Sequence, residues 1–139
     1  MLRDATLADA AAIALVLGDW CRDTAWVPKL HSRDADLAFV TGLLQTHVVR
    51  VGWAGGLGFL ARLGPGIAAL YLAPQARGKG LGKALVDEAK GCGHLEAWTF
   101  QANLGARAFY RREGFGEVAW TDGAGNAEKL ADVRMEWRA

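Results

Sequence analysis

The chain has 139 residues, of which 52% are hydrophobic and 22% are charged. This length favours a single globular domain over residues 1–139, because such a chain can bury one core but is too short for two. Lys and Arg number 16 against 15 for Asp and Glu. The chain therefore lacks the basic excess typical of nucleic-acid-binding proteins, and we expect no nucleic-acid partner.

The two cysteines, Cys21 and Cys92, lack Cys-x-x-Cys spacing, and Cys92 falls at an apolar helix position. This pattern is typical of reduced thiols in a cytoplasmic protein, and no set of metal ligands accompanies it. The apolar run 10–18 is too short to span a membrane, and the charges around its start do not fit a signal peptide. We therefore predict a cytoplasmic protein with no metal ion and no membrane anchor.

The first third of the chain carries clear helix signals. Thr6 and Asp9 form a capping-box pattern that opens a helix, and Gly18 is expected to end it. Ser32 is a suitable N-cap for a second helix, whereas the segment between the two helices has no clean period. The predicted elements are a strand at 2–4, a helix over 6–18, a loop over 19–31 and a helix over 32–44.

Three apolar runs follow, at 48–53, 57–63 and 67–72, with glycine-containing connections between them. Short glycine connections between apolar runs favour consecutive antiparallel hairpins. The third run is apolar throughout, which predicts a central strand buried on both faces.

A glycine-rich loop joins this third strand to a helix that begins at Leu81. The first turn of a helix leaves amides unpaired and carries the positive end of the dipole, so it favours an anion. Glycines remove the Cβ atoms that would keep a diphosphate away from those amides. The spacing fits neither a Walker loop nor a dinucleotide fingerprint. The glycines are Gly78, Gly80 and Gly82, and the nearby cations are Arg77, Lys79 and Lys83.

The C-terminal part continues with a strand, a helix and two further strands. The strand order around the glycine loop implies a crossover to a parallel neighbour. Asn103 is a suitable N-cap for the last helix, and Gly114 is suited to the left-handed position after it. The predicted elements are strands at 95–100, 116–120 and 133–137, a helix over 103–114 and a loop over 121–130.

Two motifs carry a resemblance to a known family. The run from Arg77 to Gly82 reads Arg-x-x-Gly-x-Gly, and it resembles the acetyl-coenzyme-A-binding motif of the GCN5-related N-acetyltransferase (GNAT) superfamily. The second signature of that superfamily has its counterpart on the last predicted helix. Its residues here are Asn103, Ala106, Phe109, Tyr110, Gly114 and Phe115.

The resemblance covers essentially the whole chain and implies an α/β fold (an α+β mixed sheet). The sheet would be central and mostly antiparallel, with one splayed parallel strand pair, and about four helices would flank it. The implied activity is transfer of an acetyl group from acetyl-CoA to a primary amine, directly in a ternary complex. The coenzyme-binding residues that it implies are Leu70, Tyr71, Leu72, Arg77, Gly78, Lys79, Gly80, Leu81, Gly82, Lys83, Asn103, Phe109 and Tyr110.

Acetyl transfer to an amine needs a proton for the leaving thiolate and a donor to the developing oxyanion. The resemblance assigns the first role to Tyr110 and the second to a backbone amide, for which we name Leu72. The general base stays open, because Trp98 stands about where one branch of the family has a glutamate. Glu96, His31 and water are the alternatives. No cysteine is predicted beside the thioester, which favours direct transfer.

The acceptor is expected to be a small-molecule amine or a peptide N-terminus, bound by variable loops over the fixed scaffold. Candidate acceptor-binding residues are Trp26, His31, Trp98 and Asp122, each of which also has an ordinary structural explanation. Two other functions remain open, a non-catalytic acetyl-CoA sensor and a partner-binding module on the same fold. The protein is expected to be a monomer or a homodimer, since the apolar closing strand 133–137 is suited to edge pairing.

Overall fold

The computed structural model describes residues 2–139. Its strands are β1 (Arg3–Asp4), β2 (Val48–Trp53), β3 (Leu57–Leu63), β4 (Gly66–Leu72), β5 (His94–Phe100), β6 (Gly116–Thr121) and β7 (Asp132–Arg138). Its helices are α1 (Ala10–Asp23), α2 (Arg33–Thr46), α3 (Leu81–Ala89) and α4 (Leu104–Arg112). Three short 3₁₀ turns cover Leu7–Asp9, Pro74–Ala76 and Lys90–Cys92.

The seven strands form one sheet in the order β1-β2-β3-β4-β5-β7-β6. All neighbours pair antiparallel except β4 and β5, which are parallel. The predicted fold class is therefore confirmed, including the mostly antiparallel sheet, the parallel pair and the four helices. Among residues 2–139, every helix is too short or too polar to cross a bilayer.

Each face of the sheet carries its own apolar core. On one face, which we call the α1/α2 face, the two N-terminal helices cover strands β2 to β4 around the fully buried Phe59. On the other, the α3/α4 face, Leu85 and Met135 are buried between the C-terminal helices and the sheet. Successive β4 side chains alternate between the faces, so Tyr71 packs with the first core and Leu72 with the second.

Helix α1 continues to Asp23 and does not end at Gly18, so the predicted end was wrong. Gly18 is buried mid-helix, and a Cβ there would collide with Arg22 Nη1 and Asp36 Oδ2. Those two side chains form an ion pair between α1 and α2, with 3.1 Å between Nη2 and Oδ2. The glycine therefore makes room for a charge pair in which Asp36 is buried and Arg22 half-buried, a role that a helix-end pattern does not reveal.

Strand β4 pairs with β5 only at its own N-terminal end, where Gly66 and Ile67 pair with Glu96 and Ala97 in the middle of β5. Immediately beyond, the register between β3 and β4 shifts by one residue and leaves Ala68 without a partner. Such a bulge bends a strand and increases its twist. The bulge accounts for the divergence of β4 from β5 after Ile67, which opens a gap between residues 68–72 and 98–100.

Strand β7 lies between β5 and β6 and is paired on both sides. Its apolar residues Val133 and Met135 are fully buried in this protein, so β7 offers no free edge for the pairing with a second copy that the sequence suggested. Cys92 also differs from the prediction, because α3 ends at Ala89 and Cys92 is exposed in the following 3₁₀ turn.

Candidate active site

A cavity of about 1260 Å³ lies where β4 and β5 diverge. Because residues from both faces of the sheet line it, the cavity connects the α1/α2 face with the α3/α4 face. We call its two parts the glycine-loop end and the aromatic end. Arg77, Gly78, Gly80, Leu81, Gly82 and Lys83 line the first, and Trp20, Phe39, Tyr71, Trp98 and Phe100 line the second.

The glycine-loop end is shaped by left-handed backbone at Gly78 (φ 72°) and Gly80 (φ 84°). A Cβ at either position would meet no atom within 4 Å, so backbone conformation and not packing requires glycine there. Gly80 is the N-cap of α3, and its carbonyl accepts the first helical hydrogen bond from Ala84 at 3.0 Å. The amides of the first turn have no partner within the helix and can bind an anion.

Gly82 brings α3 and α4 together beside this loop. A Cβ on Gly82 would lie 3.3 Å from Cε1 of Phe109, tighter than ordinary packing allows. Phe109 in turn contacts the ring of Tyr110, with 5.4 Å between ring centroids. The third glycine of the motif therefore positions the helix that carries Tyr110.

The structure brings two of the three predicted cations to the cavity. Arg77 lines it and donates from Nε to the carbonyl of Leu72 at 3.3 Å. Lys83 also lines it, and hydrogen bonds to Asp87 and Glu113 raise the Lys83 pKa. Lys79 does not line the cavity. Its ammonium lies over Gly55, where an added Cβ would come within 2.6 Å of Nζ.

The Leu72 amide faces the gap. The neighbouring Ala73 amide donates to the carbonyl of Leu57 on β3 at 2.8 Å. Because successive amides of a strand point to opposite sides, the Leu72 amide points away from β3 towards β5. Strand β5 has already diverged at this level, so its backbone does not pair with that amide.

Tyr110 is buried on α4 and lines the cavity from the α3/α4 face. Burial is the main cause that raises the pKa of Tyr110, so the phenol keeps its proton at neutral pH. The helix starts with the predicted cap, since Asn103 Oδ1 accepts from the Ala106 amide at 3.1 Å. Arg107 of this helix donates to the carbonyl of Gln101 at 2.8 Å and forms an ion pair with Glu117 of β6 at 2.7 Å. These contacts hold the helix against the residue that follows β5 and against β6.

The aromatic end contains a chain of packed rings. Trp20 contacts Tyr71 with 5.2 Å between centroids, and Trp26 bridges Trp20 and Phe100 at 6.1 and 5.7 Å. Trp26 does not line the cavity but supports the two rings that do. Tyr71, predicted as a coenzyme contact, has its side chain on the α1/α2 face, and burial raises its pKa.

The remaining predicted residues divide into two groups. His31 and Trp98 line the cavity and are exposed. Asp122 and Glu96 do not line it. Asp122 instead accepts a hydrogen bond from the Ala124 amide at 2.9 Å.

Glu96 lies on the polar surface of β5 and β7, away from the gap. Its carboxylate accepts from Arg134 Nη1 at 3.2 Å and lies 3.4 Å from His94 Nε2. Glu96 and Trp98 are two residues apart on β5, but of the two only Trp98 lines the cavity. The position of Glu96 therefore argues against its candidacy as the general base.

Cys21, Asp36 and Glu128 are among the cavity residues that were not singled out as site candidates from the sequence. Cys21 was missed because the segment before α2 was predicted to be a loop. Asp36 was missed because its position resembles that of a surface residue of a helix. Glu128 lies in the segment between β6 and β7, where only Asp122 was named. All three line the cavity, and burial is the main cause that raises the pKa of the Cys21 thiol.

A model of the acetyltransferase (GNAT) domain matches residues 43–117, more than half of the chain. The chain belongs to the GNAT acetyltransferase family. As in other members of this family, its activity is N-acetyl transfer, and GNAT acetyltransferases use acetyl-CoA as the donor. No curated protein matches the chain.

Solved structures share the GNAT fold along nearly the whole chain. Apo-form YjaB from Escherichia coli aligns with a TM-score of 0.76 at 18% identity, over 99% of this chain and 96% of that one. The ribosomal-protein-alanine N-acetyltransferase from Brucella melitensis has a TM-score of 0.72 at 22% identity, over 100% and 99%. The putative acetyltransferase yncA from Salmonella typhimurium, solved with acetyl-CoA, has a TM-score of 0.70 at 24% identity, over 99% and 92%.

Proposed function

We propose that this GNAT protein, acting as one domain over residues 1–139, transfers the acetyl group of acetyl-CoA directly to a primary amine. The observation that carries the proposal is the cavity through the β4–β5 gap, which joins an anion-binding helix terminus to an aromatic chamber. Such a passage allows coenzyme and acceptor to approach one another from opposite faces of the sheet. A donor and an acceptor held together in this way react without a covalent enzyme intermediate.

The glycine-loop end fits the coenzyme pyrophosphate. Open space beside Gly78 and Gly80 leaves the backbone accessible, and the free amides at the start of α3 can donate to phosphate oxygens. Arg77 adds a guanidinium at the same end, and Lys83 adds an ammonium. When bound, acetyl-CoA supplies a thioester, whose acetyl group is more readily transferred than that of an amide.

The Leu72 amide is the donor that we assign to the oxyanion. It points into the gap and has no strand partner there, so its hydrogen bond remains available for charge that develops in the transition state. A preorganised donor of this kind contributes roughly 10² to 10³ in rate.

Tyr110 is the group that we assign as proton donor to the leaving thiolate. Its raised pKa ensures that the proton is present, and the same apolar surroundings raise the proton affinity of a thiolate beside it. The same surroundings therefore raise both the pKa of the phenol that donates the proton and the pKa of the thiol that receives it. Proton transfer by a positioned side chain contributes about 10² to 10⁴ in rate.

Direct transfer is supported by the state of Cys21, the cysteine on the cavity wall. An acetyl-enzyme would require a thiolate, but burial favours the neutral thiol of Cys21. In this scheme the proton of the acceptor amine leaves to water or to His31, because His31 lines the cavity whereas Glu96 lies outside it.

The test is a thiol-release assay with acetyl-CoA and a panel of primary amines and N-terminal peptides, with mass spectrometry of the products. We expect amine-dependent thiol release with one acetyl group added to the amine. Acetyl-CoA binding without turnover for any amine would favour the sensor function. An absence of coenzyme binding would favour a partner-binding module.

A further inference from the structure

We infer that the acceptor is a cationic primary amine with no carboxylate next to its ammonium group, and that Glu128 binds this ammonium at the aromatic end. The inference rests on the proposed function and names the class of acceptor for that site. The observations that carry it are an unpaired acid on the cavity wall, neighbouring cations that have other partners, and a set of aromatic rings.

Glu128 is half-buried, lines the cavity and forms no ion pair or hydrogen bond with any residue of 2–139. The other three acids on the cavity wall are all engaged. Asp36 pairs with Arg22, Glu113 with Lys83, and Asp132 with the Thr121 hydroxyl. The Glu128 carboxylate is therefore free to bind an ammonium group through charge-assisted hydrogen bonds.

The charge of Glu128 acts on the surroundings of the aromatic end. It contributes to the raised pKa of both Cys21 and Tyr71, after burial in each case. Glu128 therefore lies within electrostatic reach of α1 and of β4, on the side of the gap opposite to Tyr110. An amine bound by Glu128 would approach the gap from the α1/α2 face.

The aromatic end is lined by no Lys or Arg within the described chain. The cations around it have other partners, and Lys129, the residue after Glu128, donates to the carbonyl of Ala124 at 2.8 Å. Arg22 pairs with Asp36 and donates to the carbonyl of His31, and Lys29 donates to the carbonyls of Cys21 and Thr24. A carboxylate on the acceptor would find no partner here and would face the like charge of Glu128, which selects against free amino acids.

The rings of the aromatic end suit the same class of molecule. An ammonium is attracted to the face of a tryptophan or tyrosine within about 6 Å of the ring. Trp20 and Tyr71 lie side by side at 5.2 Å, and Phe39 and Phe100 complete an apolar surface for the body of the amine. The site therefore offers one negative charge for the ammonium and rings for an apolar substituent.

The experiment compares phenethylamine with phenylalanine, and tyramine with tyrosine, in the acetyl-CoA assay. A peptide that begins with phenylalanine also lacks a carboxylate next to its ammonium group. Comparison of its rate with that of phenethylamine distinguishes a peptide N-terminus from a small amine as the acceptor. We expect the amines or the peptide to be preferred over the amino acids by at least about 10-fold in kcat/KM, because the like charge disfavours the amino acids. A preference for the amino acids would overturn the inference.

The variant Glu128→Gln keeps the shape of the side chain and removes the charge. We expect it to raise KM for phenethylamine by about 10- to 100-fold, since a hydrogen bond to a charged group is lost. Calorimetric titration of phenethylamine into coenzyme-A-saturated protein should show the same loss, while acetyl-CoA affinity stays unchanged. Asp122→Asn, in the same loop but outside the cavity, is the matched control and should change neither.

An unchanged KM and an unchanged amine affinity in Glu128→Gln would overturn the inference and leave the proposed function intact. A wild-type protein that binds no acetyl-CoA would remove both. The two failures are distinguished by the coenzyme titration.

Discussion

Tyr71 and Tyr110 lie on opposite faces of the sheet and yet line the same cavity. A negative charge on the Tyr71 phenol would raise the pKa of Tyr110, in addition to the larger effect of burial. This relationship is possible only because β4 leaves β5 after Ile67 and opens a passage through the sheet. The two phenols therefore mark the acceptor side and the leaving-group side of one proposed reaction centre.

Replacement of Tyr110 by phenylalanine tests its role as proton donor. The ring packing against Phe109 and Phe115 is kept, so we expect kcat to fall by about 10² with little change in acetyl-CoA affinity. Steady-state kinetics and calorimetry measure the two quantities. Tyr71→Phe is the control for loss of a buried phenol and should retain kcat near the wild-type value. A Tyr110→Phe variant with wild-type kcat would contradict the assignment.

The two loop cations should differ in their effect on coenzyme binding. Arg77→Gln removes a cation that lines the cavity, so we expect weaker acetyl-CoA binding and a smaller dependence of affinity on salt. Lys79→Gln removes the same charge from outside the cavity and should change affinity much less. Titrations at low and high salt measure both effects. Equal losses of acetyl-CoA affinity in the two variants would indicate that the overall positive charge of the loop, and not a specific contact from Arg77, favours coenzyme binding.

The cysteine on the cavity wall should be dispensable for chemistry. Cys21→Ala removes the thiol, and we expect kcat to remain within a few-fold of wild type because the neutral thiol takes no part in direct transfer. Mass spectrometry of the wild-type protein during turnover should reveal no acetylated Cys21. A Cys21→Ala variant with no activity, together with an acetylated wild-type thiol, would show a two-step mechanism.

Two mid-helix glycines should respond in opposite directions to alanine. Gly18→Ala places a methyl group against the Arg22–Asp36 ion pair, and we expect a loss of about 1–2 kcal/mol in the free energy of unfolding. Gly42→Ala meets no atom within 4 Å and should gain up to about 1 kcal/mol from helix propensity. Urea unfolding of both variants measures the difference. Stabilisation by Gly18→Ala would contradict the packing role of Gly18.

The ion pair between Arg107 and Glu117 should make stability depend on pH in the acid range. The Arg107 guanidinium lowers the pKa of Glu117 in the folded state, whereas an unfolded glutamate titrates near ~4.3. The stabilisation is therefore complete above that value and is lost as pH falls through the lower, folded pKa. The free energies of unfolding of wild type and Glu117→Gln should differ most at neutral pH and converge as the pH falls below the lowered pKa of Glu117. A constant difference would contradict the assignment.

Much of the architecture is predictable from local patterns. The caps at Ser32 and Asn103 and the left-handed Gly114 are short-range signals, and the structure confirms each of them. The three antiparallel hairpin strands follow from glycine connections between apolar runs in the same way.

The features that were missed depend on tertiary contacts. The bulge at Ala68 exists only relative to the register of β3, so the cause of the gap is invisible in the β4 sequence alone. Lys79 has the spacing of a phosphate-binding residue, but its side chain packs over Gly55. Glu128 lies in a segment without periodicity, and only the fold brings it to the cavity.

The glycine loop is the proposed binding site of the coenzyme at the gap. Calorimetric titration with acetyl-CoA and with desulfo-coenzyme A tests it most directly, on wild type, Gly80→Glu and Gly64→Glu. Both glycines have left-handed backbone, but Gly64 lies in the β3–β4 turn and outside the cavity, so the control carries the same strain and charge. We predict binding by wild type and Gly64→Glu and none by Gly80→Glu. Equal binding by all three proteins would show that the glycine loop is not the coenzyme site.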